Sequence, residues 1–181
     1  MKTLYVVLTK SKTILSTLIN SITHDEYTHA SLSFSDTIQP MYSFGRLIGL
    51  LSVPAALKEE PLDRGFYKIF AKAPIGVYAI QVSEQGYQKV VDYFNSMWQH
   101  HQIFRFSSLG LIACQLKLKW KRKHHYFCSQ FVAEALQSSG EIDIKKSPTL
   151  YHPVDFLQIE GLKCLYKGTV ESAIGKKFTW E

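Results

Sequence analysis

A chain of 181 residues with 46% hydrophobic and 20% charged side chains can bury a real core, which excludes a disordered or fibrous polypeptide and fits one domain. The net charge of +6 favours acidic partners or anionic lipid, but apart from a cluster at 117–123 the basic residues are spread along the chain. No nucleic-acid recognition motif is present, and three cysteines at 114, 128 and 164, without paired spacing, exclude a disulfide framework or a zinc site and fit a reducing cytoplasm.

Leu4 to Leu8 is a nearly continuous apolar run rich in Val and Tyr, which reads as a buried strand. The segment Met1–Lys10 around it has too short an apolar core for a signal peptide and lacks a small-residue cleavage site. No run approaches the length of a membrane-spanning helix, so a cytoplasmic protein is expected. Thr9 or Ser11 can cap a helix with Ile14, Leu15, Leu18, Ile19 and Ile22 on one face, closed by the polar turn Thr23–Glu26. Tyr27 to Ser35 then alternates with period two: Ala30, Leu32 and Phe34 on one side, His29, Ser31, Ser33 and Ser35 on the other. Asp36-Thr37 is a plausible tight turn into a hairpin partner at Ile38 to Phe44, which Pro40 makes an irregular or edge strand.

Within Gly45 to Arg64, the run Leu47 to Pro54 is apolar and interrupted by Gly and Pro, which reads as a mobile loop or lid rather than a core element. Gly65 to Lys72 has the composition of a strand, and Val77 to Val82 is a stronger one. Ser83 offers an N-cap for an amphipathic helix to about His100, with Tyr87, Val90, Val91, Phe94 and Trp98 inward. Ser107-Ser108 opens a shorter helix over Leu109 to Leu118, Pro153 starts a brief one through Gln158, and Leu162 to Tyr166 is a late strand. Mixed elements with a hairpin and no internal repeat predict an α+β fold, a sheet with helices packed on it.

The stretch Tyr126 to Gly140 organises the rest. From Cys128 the apolar positions recur at Phe131, Val132, Ala135 and Leu136, one face of a 3.6-residue repeat, and Gly140 sits where a left-handed cap would end it. Cys128 thus falls in the first turn, where free N–H groups and the positive dipole end stabilise a thiolate. Five basic residues between Lys117 and Lys123 and the pair His124–His125 precede it. The competing reading is a cysteine used for packing. A thiolate nucleophile also needs a base and a group that orients the base. Of seven histidines, only His29 lies in an expected strand, among small hydroxyl neighbours; otherwise it is a half-exposed strand residue without a role. His24, His100, His101 and His152 read as loop or helix-end residues. His124–His125 diverge by about 100° on a helix and make a weak metal signal, so neither a metal nor another cofactor is expected.

Three segments in order, Tyr27-Thr28-His29-Ala30-Ser31-Leu32-Ser33, Met41-Tyr42-Ser43-Phe44-Gly45-Arg46 and Tyr126-Phe127-Cys128-Ser129-Gln130-Phe131-Val132, resemble the circularly permuted branch of the NlpC-like papain-fold cysteine hydrolases. The lecithin–retinol acyltransferase-like proteins share that order, with the histidine strand before the cysteine helix. The resemblance spans roughly residues 1 to 160. It implies a permuted papain-like fold, an antiparallel sheet or small barrel packed against helices, with Cys128 as nucleophile and His29 as general base. The family's third polar residue lies on the next strand: Tyr42 after a two-residue turn, Ser43 after a three-residue one. Neither is acidic or an amide. Arg46, Phe44, Tyr126 and Phe127 are candidates to line a substrate groove, or, for the hairpin residues, simply to pack it. The reaction implied is acyl transfer on a peptide-like amide, including cell-wall peptides, or on a lipid acyl group. A non-catalytic binding module that keeps the cleft is the alternative. The apolar segment Leu47–Val53 and the Lys-rich approach to Cys128 lean toward a weak anionic membrane contact.

Overall fold

Leu4, Val6 and Leu8 alternate along the chain with Tyr5, Val7 and Thr9, and all six are buried, so this strand can be covered on both faces. The computed structural model describes residues 1–10, 25–46 and 55–180. The helix expected up to Ile22, the first half of the turn after it and the apolar segment Leu47–Val53 lie outside those residues. Strand β1 (Lys2–Thr9) pairs antiparallel with β2 (His29–Ser33) on one side and with β5 (Pro74–Val82) on the other. Adding β3 (Met41–Arg46), β4 (Ala55–Glu59) and β8 (Lys163–Thr169) gives a six-stranded antiparallel sheet of order β4-β3-β2-β1-β5-β8. The α+β class is therefore observed, with a sheet whose outer strands are β4 and β8 rather than a closed barrel.

One face carries Leu4, Val6, Leu8, Ala30, Leu32 and Phe44 and is covered by two helices. These are α2 (Glu84–Trp98), with Val90, Phe94 and Met97 inward, and α4 (Cys128–Ser138), with Phe131, Val132, Ala135 and Leu136 inward. Each fully buried Leu, Val or Phe contributes on the order of 1.5–3 kcal/mol. The other face carries Tyr5, Val7, Met41, Val77 and Ala79. It is closed by Tyr67 of α1 (Gly65–Ile69), Val170 and Ala173 of α5 (Val170–Ala173), and Phe178. A short parallel pair, β6 (Arg105–Phe106) with β7 (His125–Tyr126), brackets α3 (Ser108–Gln115).

The caps follow their chemistry. Ser83 Oγ accepts the Gly86 N–H at 3.0 Å and opens α2; Ser107 Oγ accepts the Gly110 N–H at 3.1 Å and opens α3. Three expectations are corrected. The β2–β3 connection is not a two-residue turn: Ser33 faces Met41, and the chain between them includes Pro40, which has no N–H to donate to a ladder. Gly65 to Lys72 is no strand. Its aromatics instead meet at helical spacing in α1, with the Phe66 and Phe70 rings 4.5 Å apart. Within the stretch read as a loop, Ala55–Glu59 forms β4, in register with β3 from Tyr42↔Glu59 to Arg46↔Ala55.

Candidate functional site

Helix α4 begins at Cys128 with no side chain capping its first turn and no acidic residue in it, so its leading N–H groups are left for another acceptor. Packing fixes that start. Phe127 is fully buried before it, Tyr126 stacks on Phe44 with centroids 5.4 Å apart, and Ser129 Oγ donates to the Tyr151 carbonyl at 2.6 Å.

His29 is the first residue of β2, held against Thr9 of β1. Strand alternation puts it on the side of Ser31 and Ser33. On the same side, just past the end of β4, stands Glu60, whose N–H donates to the Met41 carbonyl at 2.8 Å. Glu60 Oε2 lies 2.8 Å from His29 Nε2 and accepts the Ser31 hydroxyl, also at 2.8 Å. Both side chains are closed off, 13% exposed for His29 and 8% for Glu60. Gly45 makes the space: a methyl group on its Cα would occupy the position of Glu60 Oε1. The Cys128 thiol is the ring's other hydrogen-bond partner. With Nε2 given to Glu60, Nδ1 is the nitrogen left for sulfur.

The charges reinforce one another. Burial would raise the Cys128 thiol, but the His29 charge and hydrogen bond, with the backbone N–H groups of Ala30 and Ser129, outweigh it and hold the thiol below its ordinary value. Burial would likewise lower the His29 ring, yet Glu60 and Cys128 push it up to about 10. The Glu60 carboxyl, which burial would raise, is brought down to about 2 by His29, Lys58 and Ser31. All three shifts act in the direction of thiolate, imidazolium and carboxylate side by side. Such an arrangement can attack a carbonyl carbon and deliver a proton to what leaves.

The structure brings together Cys128 and His29 but neither candidate for the third member. Tyr42 lies on the opposite face, against Phe94 and Trp98 at 4.5 and 5.1 Å. Ser43 shares the side of His29 but spends its hydroxyl on the Ala30 carbonyl at 2.7 Å. Phe44 and Phe127 are core residues, 1% and 0% exposed, and Tyr126 is half-buried between Phe44 and Phe104. Arg46 ends β3 opposite Ala55. Glu60 is the residue that sequence reasoning missed, set in the charged run Lys58-Glu59-Glu60. Among the described residues there is no cluster of His, Cys, Asp and Glu able to hold a metal ion. No helix among them is long and apolar enough to cross a membrane.

A scan against protein-family models and searches of curated proteins and of solved structures found no match to this chain.

Proposed function

We propose that this chain is a thiol-dependent hydrolase of the permuted NlpC-like papain type, acting by acyl transfer. The observation that carries the reading is the buried row Cys128–His29–Glu60 at the start of an uncapped helix. The order of the elements, histidine strand first and cysteine helix later, agrees with it.

In the forward half, the Cys128 thiolate attacks the carbonyl carbon of an amide, ester or thioester and a C–S bond forms. The oxygen takes up the negative charge and faces the leading N–H groups of α4, that of Cys128 first. As the tetrahedral species collapses, the bond to the leaving nitrogen, oxygen or sulfur breaks, and His29 gives it the ring proton. In the second half, water loses a proton to His29 and attacks the acyl carbon; the C–S bond breaks and the thiolate returns. Glu60 stays ionised throughout. It fixes the ring through Nε2 and stabilises the imidazolium, so it acts by positioning and by charge rather than by taking a proton. The binding-module alternative rested on the want of an orienting side chain, and Glu60 fills that role. The substrate class that fits is a peptide-like amide, with an acyl lipid as the alternative.

Mass-mapped iodoacetamide alkylation across pH tests the reading without knowing the substrate. At mildly acidic pH, Cys128 is expected to react faster than Cys114 and Cys164. Equal and slow labelling of all three thiols overturns it.

A further inference from the structure

The stretch between Asp92 and Glu134 contains no acidic residue and six basic ones, which equals the net charge of the whole chain. Five of the six fall between Lys117 and Lys123, immediately after α3, and all five are exposed. Lys121 pairs with Glu134 at 3.1 Å; Lys117, Lys119, Arg122 and Lys123 make no ion pair among the described residues.

The same segment leaves its apolar side chains uncovered. Gly110, Ala113 and Cys114 are the buried side of α3, while Leu109, Ile112 and Leu116, at i, i+3 and i+7, form a stripe on the other. Leu118 and Trp120 continue it beyond the helix, and these five residues are 49–65% exposed. The segment has a defined shape. The Lys117 N–H reaches the Cys114 carbonyl at 3.0 Å and the Leu118 N–H reaches Ala113 at 2.8 Å, closing the helix end. Arg122 and His125 form a bridge that turns the chain back toward β7.

We propose that α3 and the segment 116–123 form a docking surface for a lipid bilayer that carries anionic headgroups. Leucines and a tryptophan interleaved with lysines suit an interface whose interior is apolar and whose surface is negative. The hydrocarbon side chains enter the acyl boundary, Trp120 sits at headgroup level, and the cationic groups meet the phosphates. A purely apolar partner would leave the lysines unmatched, and a purely polyanionic one would leave the leucines exposed; an anionic bilayer meets both. The surface lies beside the candidate site, since Gly110 of α3 packs against Phe127, the residue before Cys128. The docking itself does not depend on the hydrolase reading.

The test is co-sedimentation of the full chain with phosphatidylcholine vesicles, with and without phosphatidylglycerol. Binding is expected only with phosphatidylglycerol, and it should weaken as salt rises. The exposed pair Lys117→Glu/Lys119→Glu should weaken binding by at least about 30-fold, and Leu116→Glu/Leu118→Glu by a similar factor. Cys128→Ala should bind as well as the parent chain, so a failed hydrolase test leaves this result standing. Absence of binding to phosphatidylglycerol vesicles at low salt overturns the proposal. So does vesicle binding that the leucine pair leaves unchanged, or capture of an RNA oligomer in preference to vesicles. Self-association without lipid that Leu116→Glu/Leu118→Glu abolishes, with vesicle binding absent, also overturns it.

Discussion

Cys128 and Cys114 each lie beside a histidine, but at opposite ends of their helices. Cys128 opens α4, where the dipole is positive; Cys114 sits one residue from the end of α3, where it is negative. The Cys114 sulfur is 3.5 Å from His152 Nε2, so the second pair also makes contact. Among the described residues, no carboxylate is hydrogen-bonded to the ring of this histidine. Asp155 Oδ2 is taken by the His152 backbone N–H and by Lys146 at 2.6 Å, and His152 Nδ1 faces Gln115 at 3.4 Å. Burial accordingly lowers the His152 ring and pushes the Cys114 thiol up to about 12. Sulfur next to imidazole is thus insufficient for an ion pair. The buried acid on the far side of the ring, and the end of the helix that holds the sulfur, decide which way the proton goes.

The comparison can be broken or sharpened by experiment. The largest effect is expected from Cys128→Ala, which should abolish turnover of an activated acyl substrate and leave the circular dichroism spectrum unchanged. Cys114→Ala should retain turnover, and a result the other way round would reverse the roles of the two pairs. Next, Glu60→Gln keeps a polar partner on the ring but removes the charge. Labelling of Cys128 at mildly acidic pH should fall by about 100-fold or more, with the labelling profile shifted to higher pH. Gly45→Ala should act on the same residue from behind by displacing the carboxylate. A loss of up to about 100-fold, the scale of a 1 Å misplacement, is expected in the same assay.

Stability offers a smaller signal. The Glu60 carboxyl is depressed from 4.5 to about 2 in the folded protein, so its contribution is fully present above about pH 4.5 and lost as pH falls through about 2. In that window, chemical denaturation should show the parent chain losing stability more steeply than Glu60→Gln. The smallest effect belongs to His152→Ala, which should leave the pH profile of Cys128 labelling in place; a marked shift would couple the two pairs.

Much of this site was legible because its two best-marked members sit in strongly patterned segments. The 3.6-residue repeat after Cys128 placed the thiol at a helix start, and the alternation around His29 placed the ring on the polar side of a strand. Glu60 was not legible, for a physical reason. It follows an outer strand whose charged residues Lys58 and Glu59 look solvated in one dimension, and it becomes a buried acid only because the β3–β4 register carries it to Ser31 and His29. A long connection replaced the tight turn and set Tyr42 on the opposite face, whereas Ser43 lies on the His29 side and gives its hydroxyl to the Ala30 carbonyl. At Gly65 to Lys72, aromatic composition pointed to a strand, but its rings find each other four residues apart rather than across a sheet.

The acid that polarises the histidine is carried at the rim of the sheet, just past the end of the strand farthest from β1 and beyond β3. Fraying of that margin would strip the imidazole of its counter-charge while the hydrophobic scaffold around β1, with Leu4, Val6, Leu8, Ala30 and Leu32, stayed assembled. Warming or mild denaturant should therefore silence the sulfur before the domain melts, and hydrogen exchange at β4 should track the loss.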